Sequence, residues 1–418
     1  MNTPTPTRQG PLTDLKVIEV CTTIAGPACA RLLADFGADV IKIEPPEGDP
    51  VRQMGQHHDN VSLYAASILR NKRSVALDLK TPQGRELAFE LMVRADIVVE
   101  NNRPGVMERL GLGYEALSAR NPGLVMVRIS GFGQDGPYAG QPGYGAICEA
   151  VAGVRHMTGD PDRPPARVAL ATTDYLSSVY AAFGAVAAIH ARTRTGKGQV
   201  VDVALYEAAF SQMEPVVPAH DKLGVVPMRE GSNLPSMAPN SSYPTSEGGW
   251  VLIAANSQPI WKRLVEVMAQ PHLLTDPRFE TIQARGLPDN MKAIDAIVAD
   301  WTRRHTATEL LGMLRQAQVP STLVYTIADI FGDPHFQARR MLQQVPHAQL
   351  GHTVQTGVVP RLSDTPGAIY RSGPELGQDG RQVLQQELQL SDAQVQALAA
   401  AGALVLDTGT PSHSKVQP

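Results

Sequence analysis

The chain has 418 residues, with 37 Lys and Arg against 41 Asp and Glu and a formal net charge of −4. Without a basic run or face, that balance argues against a nucleic-acid protein, while the length allows a large core and, at roughly 150 residues per domain, two domains. Cys21, Cys29 and Cys148 lack C-x-x-C spacing, which argues against a disulfide framework or zinc site and fits a reducing cytoplasm; no apolar stretch is long enough to span a bilayer.

After a polar, Pro-rich lead, residues 16–21 are rich in β-branched side chains and predict a strand stopped by Thr22-Thr23. A helix over about 27–36 and a strand over 38–44 complete a βαβ unit, the building block of a parallel sheet. Glu44 falls where dinucleotide folds keep a ribose-binding acid. The loop Thr22-Thr23-Ile24-Ala25-Gly26-Pro27 carries one Gly where G-x-G-x-x-G needs three, which sets NAD aside.

Residues 73–79 predict a further strand, Thr81-Pro82 the start of a helix running to about Arg94, and 97–100 another strand. Such alternation predicts an α/β domain with a Rossmann-like parallel sheet covered on both faces. Asn101-Asn102-Arg103-Pro104-Gly105 is a turn beyond a strand's carboxyl end, where parallel sheets bind ligands, and it opens a helix with Val106, Met107 and Leu110 apolar and Arg109 polar. The strand at 124–129 runs into the Gly-rich segment 130–138, which either brings backbone N–H groups to a phosphate or oxyanion or simply makes tight turns.

After the polar segment 158–165 comes a long helix, with Leu176, Val179, Tyr180, Phe183, Val186, Ala187 and His190 at helical spacing; the pattern predicts burial on most sides. Thr172 or Thr173 serves as N-cap, which puts Asp174 in the first turn, where open N–H groups and the helix dipole favour an ionised carboxylate. From position alone, Asp174 either stabilises the helix end or does chemistry. Gly196-Lys197-Gly198 closes the helix behind Arg192 and Arg194, and 199–204 is a strand. These pieces make a large domain over 10–215. Residues 216–244, crowded with Pro and Ser, predict a linker. A smaller α+β domain over 245–320 has a core of Phe279, Ile294, Val298, Trp301 and Leu310. Residues 321–405 return to pack on the large domain, and 406–418 form a disordered tail.

Ala25-Gly26-Pro27, the run Gly37-Ala38-Asp39-Val40-Ile41-Lys42-Ile43-Glu44, Asn71-Lys72-Arg73-Ser74, Leu77-Asp78-Leu79-Lys80, Glu100-Asn101 with Pro104-Gly105, Ser130-Gly131-Phe132-Gly133, Asp174 and Gly196-Lys197-Gly198-Gln199 follow one another in this order. The ordered set resembles the family III CoA-transferases, the group of formyl-CoA transferase, carnitine-type CoA-transferases and alpha-methylacyl-CoA racemase, over nearly the whole chain. The resemblance implies a CoA-transferase that moves CoA from an acyl-CoA donor to a free carboxylic acid, with Asp174 as nucleophile. Its carboxylate attacks the thioester, giving an aspartyl anhydride and CoA thiolate, and an aspartyl-CoA stage passes CoA on. Coenzyme A, as substrate thioester, is the implied cofactor, without a metal. The implied CoA contacts are Ala25, Leu77, Asp78, Leu79, Lys80, Asn101, Asn102, Arg103, Arg109, Gly143, Tyr144 and Gly145. Lys80 and Arg109 face the CoA phosphates or are plain surface charge; Tyr144 lines the acyl pocket or packs as a half-buried aromatic. An interlocked homodimer is also implied, each active site lying between the large domain of one subunit and the small domain of the other.

Departures from formyl-CoA transferase narrow the expectation. Ile24 replaces a Gln, Pro45 an Arg, and Pro239-Asn240-Ser241-Ser242-Tyr243 stands where that enzyme has a glycine loop. The sequence is closer to the branch that uses dicarboxylic acids, with succinyl-CoA as donor. A racemase or isomerase acting on 2-methylacyl-CoA esters, with Asp174 as base, is the alternative, although the family's His falls at Tyr144; a CoA-binding protein without turnover is the third. His57 and His58 lie near the ligand edge, as contributors or as exposed bystanders.

Overall fold

The computed structural model describes residues 8–406. Lys16–Val20 (β1) and Asp39–Glu44 (β2) flank helix α1 (Ala25–Asp35), and a short hairpin, His57–His58 (β3) with Val61–Ser62 (β4), leads through α2 (Leu63–Ile68) to β5 (Lys72–Leu77). Then follow α3 (Pro82–Met92), β6 (Ile97–Glu100), α4 (Val106–Arg109), α5 (Tyr114–Ser118), β7 (Val125–Ser130), α6 (Gly145–Val151), α7 (Thr172–Thr195) and β8 (Val200–Ala204). The remaining strands are β9 (Asn240–Pro244), β10 (Trp250–Ala254), β11 (Ser321–Leu323), the β12 (Leu342–His347) and β13 (Gly351–Thr356) hairpin, and β14 (Leu404–Val405).

The main sheet runs β14-β5-β2-β1-β6-β7-β8, parallel throughout except for the antiparallel edge strand β14. Alternate side chains enter opposite cores, as the period-two geometry of strands requires. Val17, Val40, Ile97, Val99 and Val127 pack beneath α1 and α7. Ile18, Ile41, Val75, Val98 and Met126 pack beneath α3 and the helix Gly380–Leu388. Both faces are therefore covered, and each fully buried aliphatic side chain contributes about 2 kcal/mol. The chain works outward from β1 through β2 to β5, then crosses back to β6. This reversal puts a topological switch point between the carboxyl ends of β1 and β6, the usual ligand crevice of open α/β sheets.

Among the described residues two compact units are present: one of residues 8–154, 168–219 and 337–406, the other of 155–167 and 220–336. The second has the sheet β11-β10-β9 and a core holding Phe279, Ile294, Val298, Trp301 and Leu310, all buried. In the first, the hairpin β12–β13 is tied to α2 and its end by Gln355 Nε2 donating to the Ala66 carbonyl (3.0 Å) and Arg70 Nη1 to the Thr356 carbonyl (2.8 Å).

Three sequence expectations are corrected. The stretch 216–244 is not loop throughout: it holds the helix Val216–Leu223 and strand β9. Pro218 lies in that helix's first turn, where a missing N–H does no harm. The α7 N-cap is Ala171, without a side-chain bond, so Thr172 and Thr173 are inside the helix. Finally, α7 is buried along its small residues, Ser177, Ser178, Ala181, Ala185 and Ala188, while Val179, Tyr180, Phe183 and Val186 face outward, Phe183 at 72% exposure. Small side chains let α7 lie close to its neighbours: a Cβ added to Gly184 would come within 2.6 Å of Val201 Cγ1. Of the expected tail, residues 407–418 lie outside the described residues.

Candidate active site

Asn101, just past β6, clamps the loop after β1: its Nδ2 donates to the Thr22 carbonyl (2.8 Å) and its Oδ1 accepts from the Thr22 N–H (2.9 Å). Asn102 adds a backbone donation to Glu100 Oε2 (2.7 Å) and a longer side-chain one to the Val20 carbonyl (3.4 Å). Gly26 is required by close approach, since a Cβ there would fall 2.3 Å from Cys21 Sγ. Ala25 thus begins α1 at the switch point, buried and fixed.

Beneath this loop is a fully buried ion cluster that the sequence reading missed. Strand register sets Glu19 beside Lys42. Lys42 Nζ lies 2.8 Å from Glu19 Oε1 and 2.8 Å from Asp49 Oδ2, and donates to the Cys21 carbonyl (2.8 Å). Lys72 Nζ reaches Glu19 Oε2 (2.6 Å) and the Pro27 carbonyl (2.7 Å). Burial alone would lower the Lys42 ammonium, but Glu19 and Asp49 outweigh it and hold the pKa above the ordinary lysine range. Asp49 Oδ1 in turn accepts from Thr23 N–H (2.9 Å), fixing a residue with φ of 67°. The signal was a lysine in each of two strands otherwise reading as buried. Glu44, considered as a ribose ligand, is engaged by Arg52 (2.8 and 2.7 Å) and by Ser74 (2.6 Å). Burial would raise its carboxyl, yet these bonds and the Arg52 charge hold it at about 2.

Asp174, half-buried in the first turn of α7, is joined to the Ala25 loop through Ser178, whose Oγ lies 2.7 Å from both the Ala25 and the Asp174 carbonyl oxygens. Its carboxylate rests on Gly145: a Cβ there would stand 2.0 Å from Asp174 Oδ2. Gly143 likewise packs on Gly131, where a Cβ would lie 2.7 Å from the Gly143 α-carbon. The Gly143-Tyr144-Gly145 turn is therefore wedged between the Gly-rich loop and Asp174. That loop is pinned by Ser130 Oγ, accepting from Gly133 N–H (3.0 Å), and by Asp202, accepting from Gln134 N–H (2.9 Å). Cys148, one turn beyond Gly145, donates to the Gly131 carbonyl (3.3 Å); burial first, then the Asp174 charge, pushes its thiol up to about 11, so it is protonated at neutral pH.

The other expected contacts are distributed along the same sheet edge. Leu77 is buried at the end of β5, Leu79 packs on the second core, and Asp78 Oδ1 accepts from the Lys80 N–H (2.9 Å). Because β5 lies two strands from β1, roughly 10 Å separates this turn from the switch point. Lys80, Arg103 and Arg109 are exposed, and among the described residues none has an ion-pair partner. Tyr144 is 72% exposed, which corrects the half-buried packing. His57 and His58 are exposed on the β3–β4 hairpin, His57 bonding to nearby backbone carbonyls. Among the described residues no group of three or more His, Cys, Asp or Glu could hold a metal ion, and no helix is long and apolar enough to cross a membrane.

A carboxylate seated on a glycine, beside a Gly-rich turn and a ligand crevice, suits a nucleophile that must be held close to its target. Comparison with known proteins identifies the family. The sequence model of CoA-transferase family III matches residues 12–380. The chain is 45% identical over 392 residues to the succinyl-CoA–D-citramalate CoA-transferase of Chloroflexus aurantiacus, covering 93% of this chain and 97% of that one. It is 38% identical over 395 residues to the beta subunit of that organism's succinyl-CoA–L-malate CoA-transferase, covering 93% and 96%. The crystal structure of a CAIB/BAIF family protein from Brucella suis matches with a TM-score of 0.81 at 33% identity, over 91% of this chain and 100% of that one. This chain belongs to CoA-transferase family III and is a CoA-transferase.

Proposed function

We propose that the protein transfers CoA from succinyl-CoA to a dicarboxylic acid, with Asp174 as covalent carrier. The observation that carries this reading is the Asp174 carboxylate seated on Gly145, on a helix turn whose backbone Ser178 ties to the Ala25 carbonyl. The donors and acceptors of the named relatives support the substrate class: both use succinyl-CoA, and D-citramalate and L-malate are both dicarboxylic acids.

In this scheme the Asp174 oxygen attacks the thioester carbonyl, the C–S bond breaks, and CoA leaves as thiolate with a succinyl-aspartyl anhydride behind it. The thiolate attacks the Asp174 carbonyl, releasing succinate and leaving aspartyl-CoA. The acceptor carboxylate displaces the thiolate to give a second anhydride. Attack by the thiolate on the acceptor's carbonyl then yields the new thioester and restores Asp174. One thioester replaces another, so the exchange is near neutral in free energy. Ala25, Asn101, Asn102 and the Leu77-Asp78-Leu79-Lys80 turn, with Arg103, Arg109 and Gly143 to Gly145, form the CoA-binding edge in this reading, the three exposed cations serving the phosphates. Mass spectrometry of CoA thioesters after incubation with succinyl-CoA and a panel of free acids tests it. A new thioester with dicarboxylic acids is expected; none, accompanied by exchange of a substrate α-proton in heavy water, would replace transfer by racemisation.

Gly145→Ala is expected to lower kcat by about 100-fold, the scale of a 1 Å misplacement of a reacting group. The added methyl displaces the carboxylate itself. Unchanged turnover by a folded Gly145→Ala protein would disconnect the Gly145 contact from catalysis.

We further propose an interlocked homodimer acting in the cytoplasm. The outward residues Val179, Tyr180, Phe183 and Val186 of α7, with Phe210 nearby in sequence, supply an apolar face of the kind that subunit contacts cover. The three free cysteines are all buried, which suits a reducing compartment. Light scattering is expected to give twice the chain mass for the natural protein and a lower mass for Phe183→Asp; a monomeric natural protein overturns the proposal.

A further inference from the structure

Arg31 lies one turn beyond Ala28 in α1, and Ala28 belongs to the small apolar cluster that includes Ile24, Tyr64 and Tyr175. Its side chain is 16% exposed, and among the described residues its one hydrogen bond runs from Nη1 to Asp35 Oδ2 (2.9 Å). Asp35 already serves others. Arg70, buried, donates to both of its oxygens (3.0 and 2.7 Å), and Asn71 Nδ2 donates to Oδ1 (2.9 Å). One carboxylate thus faces two guanidinium groups, and a positive charge is left over in a site largely removed from water. Burial lowers the Arg31 pKa in spite of Asp35, consistent with incomplete compensation.

Next to this charge, the hydroxyls of Tyr64 and Tyr175 are 3.0 Å apart. Two phenols sharing one hydrogen bond use one of their two O–H hydrogens, so the other can donate outward. Arg31 is within electrostatic reach of both rings, and Tyr64 is within reach of Asp174. Tyr175 directly follows Asp174 in α7. The surplus guanidinium and the spare phenol donor therefore belong to the place where α1, α2 and the first turn of α7 meet, the turn that carries Asp174.

We propose that Arg31, Tyr64 and Tyr175 form the subsite for the distal carboxylate of a dicarboxylic acyl group bound at Asp174. This rests on the CoA-transfer reading and supplies its selectivity. A dicarboxylic chain neutralises the Arg31 charge and accepts the tyrosine hydrogen; a monocarboxylic chain leaves both unmatched, which a site of low polarity penalises heavily.

The experiment compares succinyl-CoA with butyryl-CoA, which lacks the distal carboxylate, by kcat/KM in the active protein and by equilibrium binding in the Asp174→Asn protein. The natural chain is expected to favour succinyl-CoA by roughly 100-fold or more in kcat/KM. Arg31→Met is expected to collapse that ratio toward one, and Tyr64→Phe, which retains the packing, to reduce it by about tenfold. A purely structural role lowers both donors together and preserves the ratio in both variants, which overturns the proposal. If no CoA transfer occurs with any donor, the transfer reading fails, while the binding preference and its loss in Arg31→Met or Tyr64→Phe still decide the subsite.

Discussion

Replacing Asp174 by Ala is expected to reduce CoA transfer by at least about 1,000-fold, more than 4 kcal/mol of transition-state stabilisation. In the proposed scheme each acyl or CoA transfer passes through this carboxylate, so its loss removes the route and not merely one of several contributions. Asp174→Asn should fare no better, because an amide retains the shape but is a poor nucleophile. CoA binding should survive both changes, since the clamp of Asn101 on Thr22 and the buried support of Lys42 do not depend on Asp174. Initial rates and thioester mass spectra measure the effect, together with hydroxylamine trapping, which should mark Asp174 in the natural protein as a hydroxamate. Retention of a tenth of the natural rate by Asp174→Ala would remove Asp174 from the covalent pathway.

The second large effect concerns stability. Lys42→Met leaves Asp49 without its ammonium partner and Glu19 with only Lys72, all at sites with no solvent access. Removing one member of a buried ion pair typically costs about 3–5 kcal/mol, against a total stability of about 5–15 kcal/mol. Urea unfolding should show a corresponding fall in the midpoint, and adding Asp49→Asn should recover part of it, because it removes the orphaned charge and the two changes are coupled through contact. A midpoint within experimental error of the natural protein would show that the cluster is readily rehydrated or rearranged. Since Lys42 also holds the Cys21 carbonyl and Asp49 holds Thr23, the same variant should raise KM for the donor if the β1–α1 loop binds CoA.

Much of the fold was legible because local chemistry dictated it. The β-branched runs placed β1, β2, β7 and β8 to within a residue or two, and 97–100 matched β6 outright. The order of strands was not legible, nor was the register that brings Glu19 against Lys42 and Lys42 against Ser74, because each strand was read alone. For α7 the helical period correctly grouped its residues into faces. It could not tell which face the chain itself would cover, and the large apolar residues drew attention from the small ones that are buried. In 216–244 the density of Pro concealed both a helix that tolerates Pro in its first turn and a strand ending on Pro244. Asp174 is nominated from the sequence by its family resemblance alone, and its seat on Gly145 was not legible there: Gly145 lies far from it in sequence, and only the fold brings their atoms together.

The small-residue face of α7 has a consequence for precision. Ser and Ala have few or no rotamers to lose on burial, so docking the helix carries little side-chain entropy penalty. Contacts made near the backbone also offer no long, adaptable side chains through which the helix could slide or roll. Any displacement must move one main chain past another in a closely packed interior. The helix that carries Asp174 accordingly acts as a stiff strut, and the aim of its carboxylate is determined by the skeleton of the domain, with little left to side-chain adjustment.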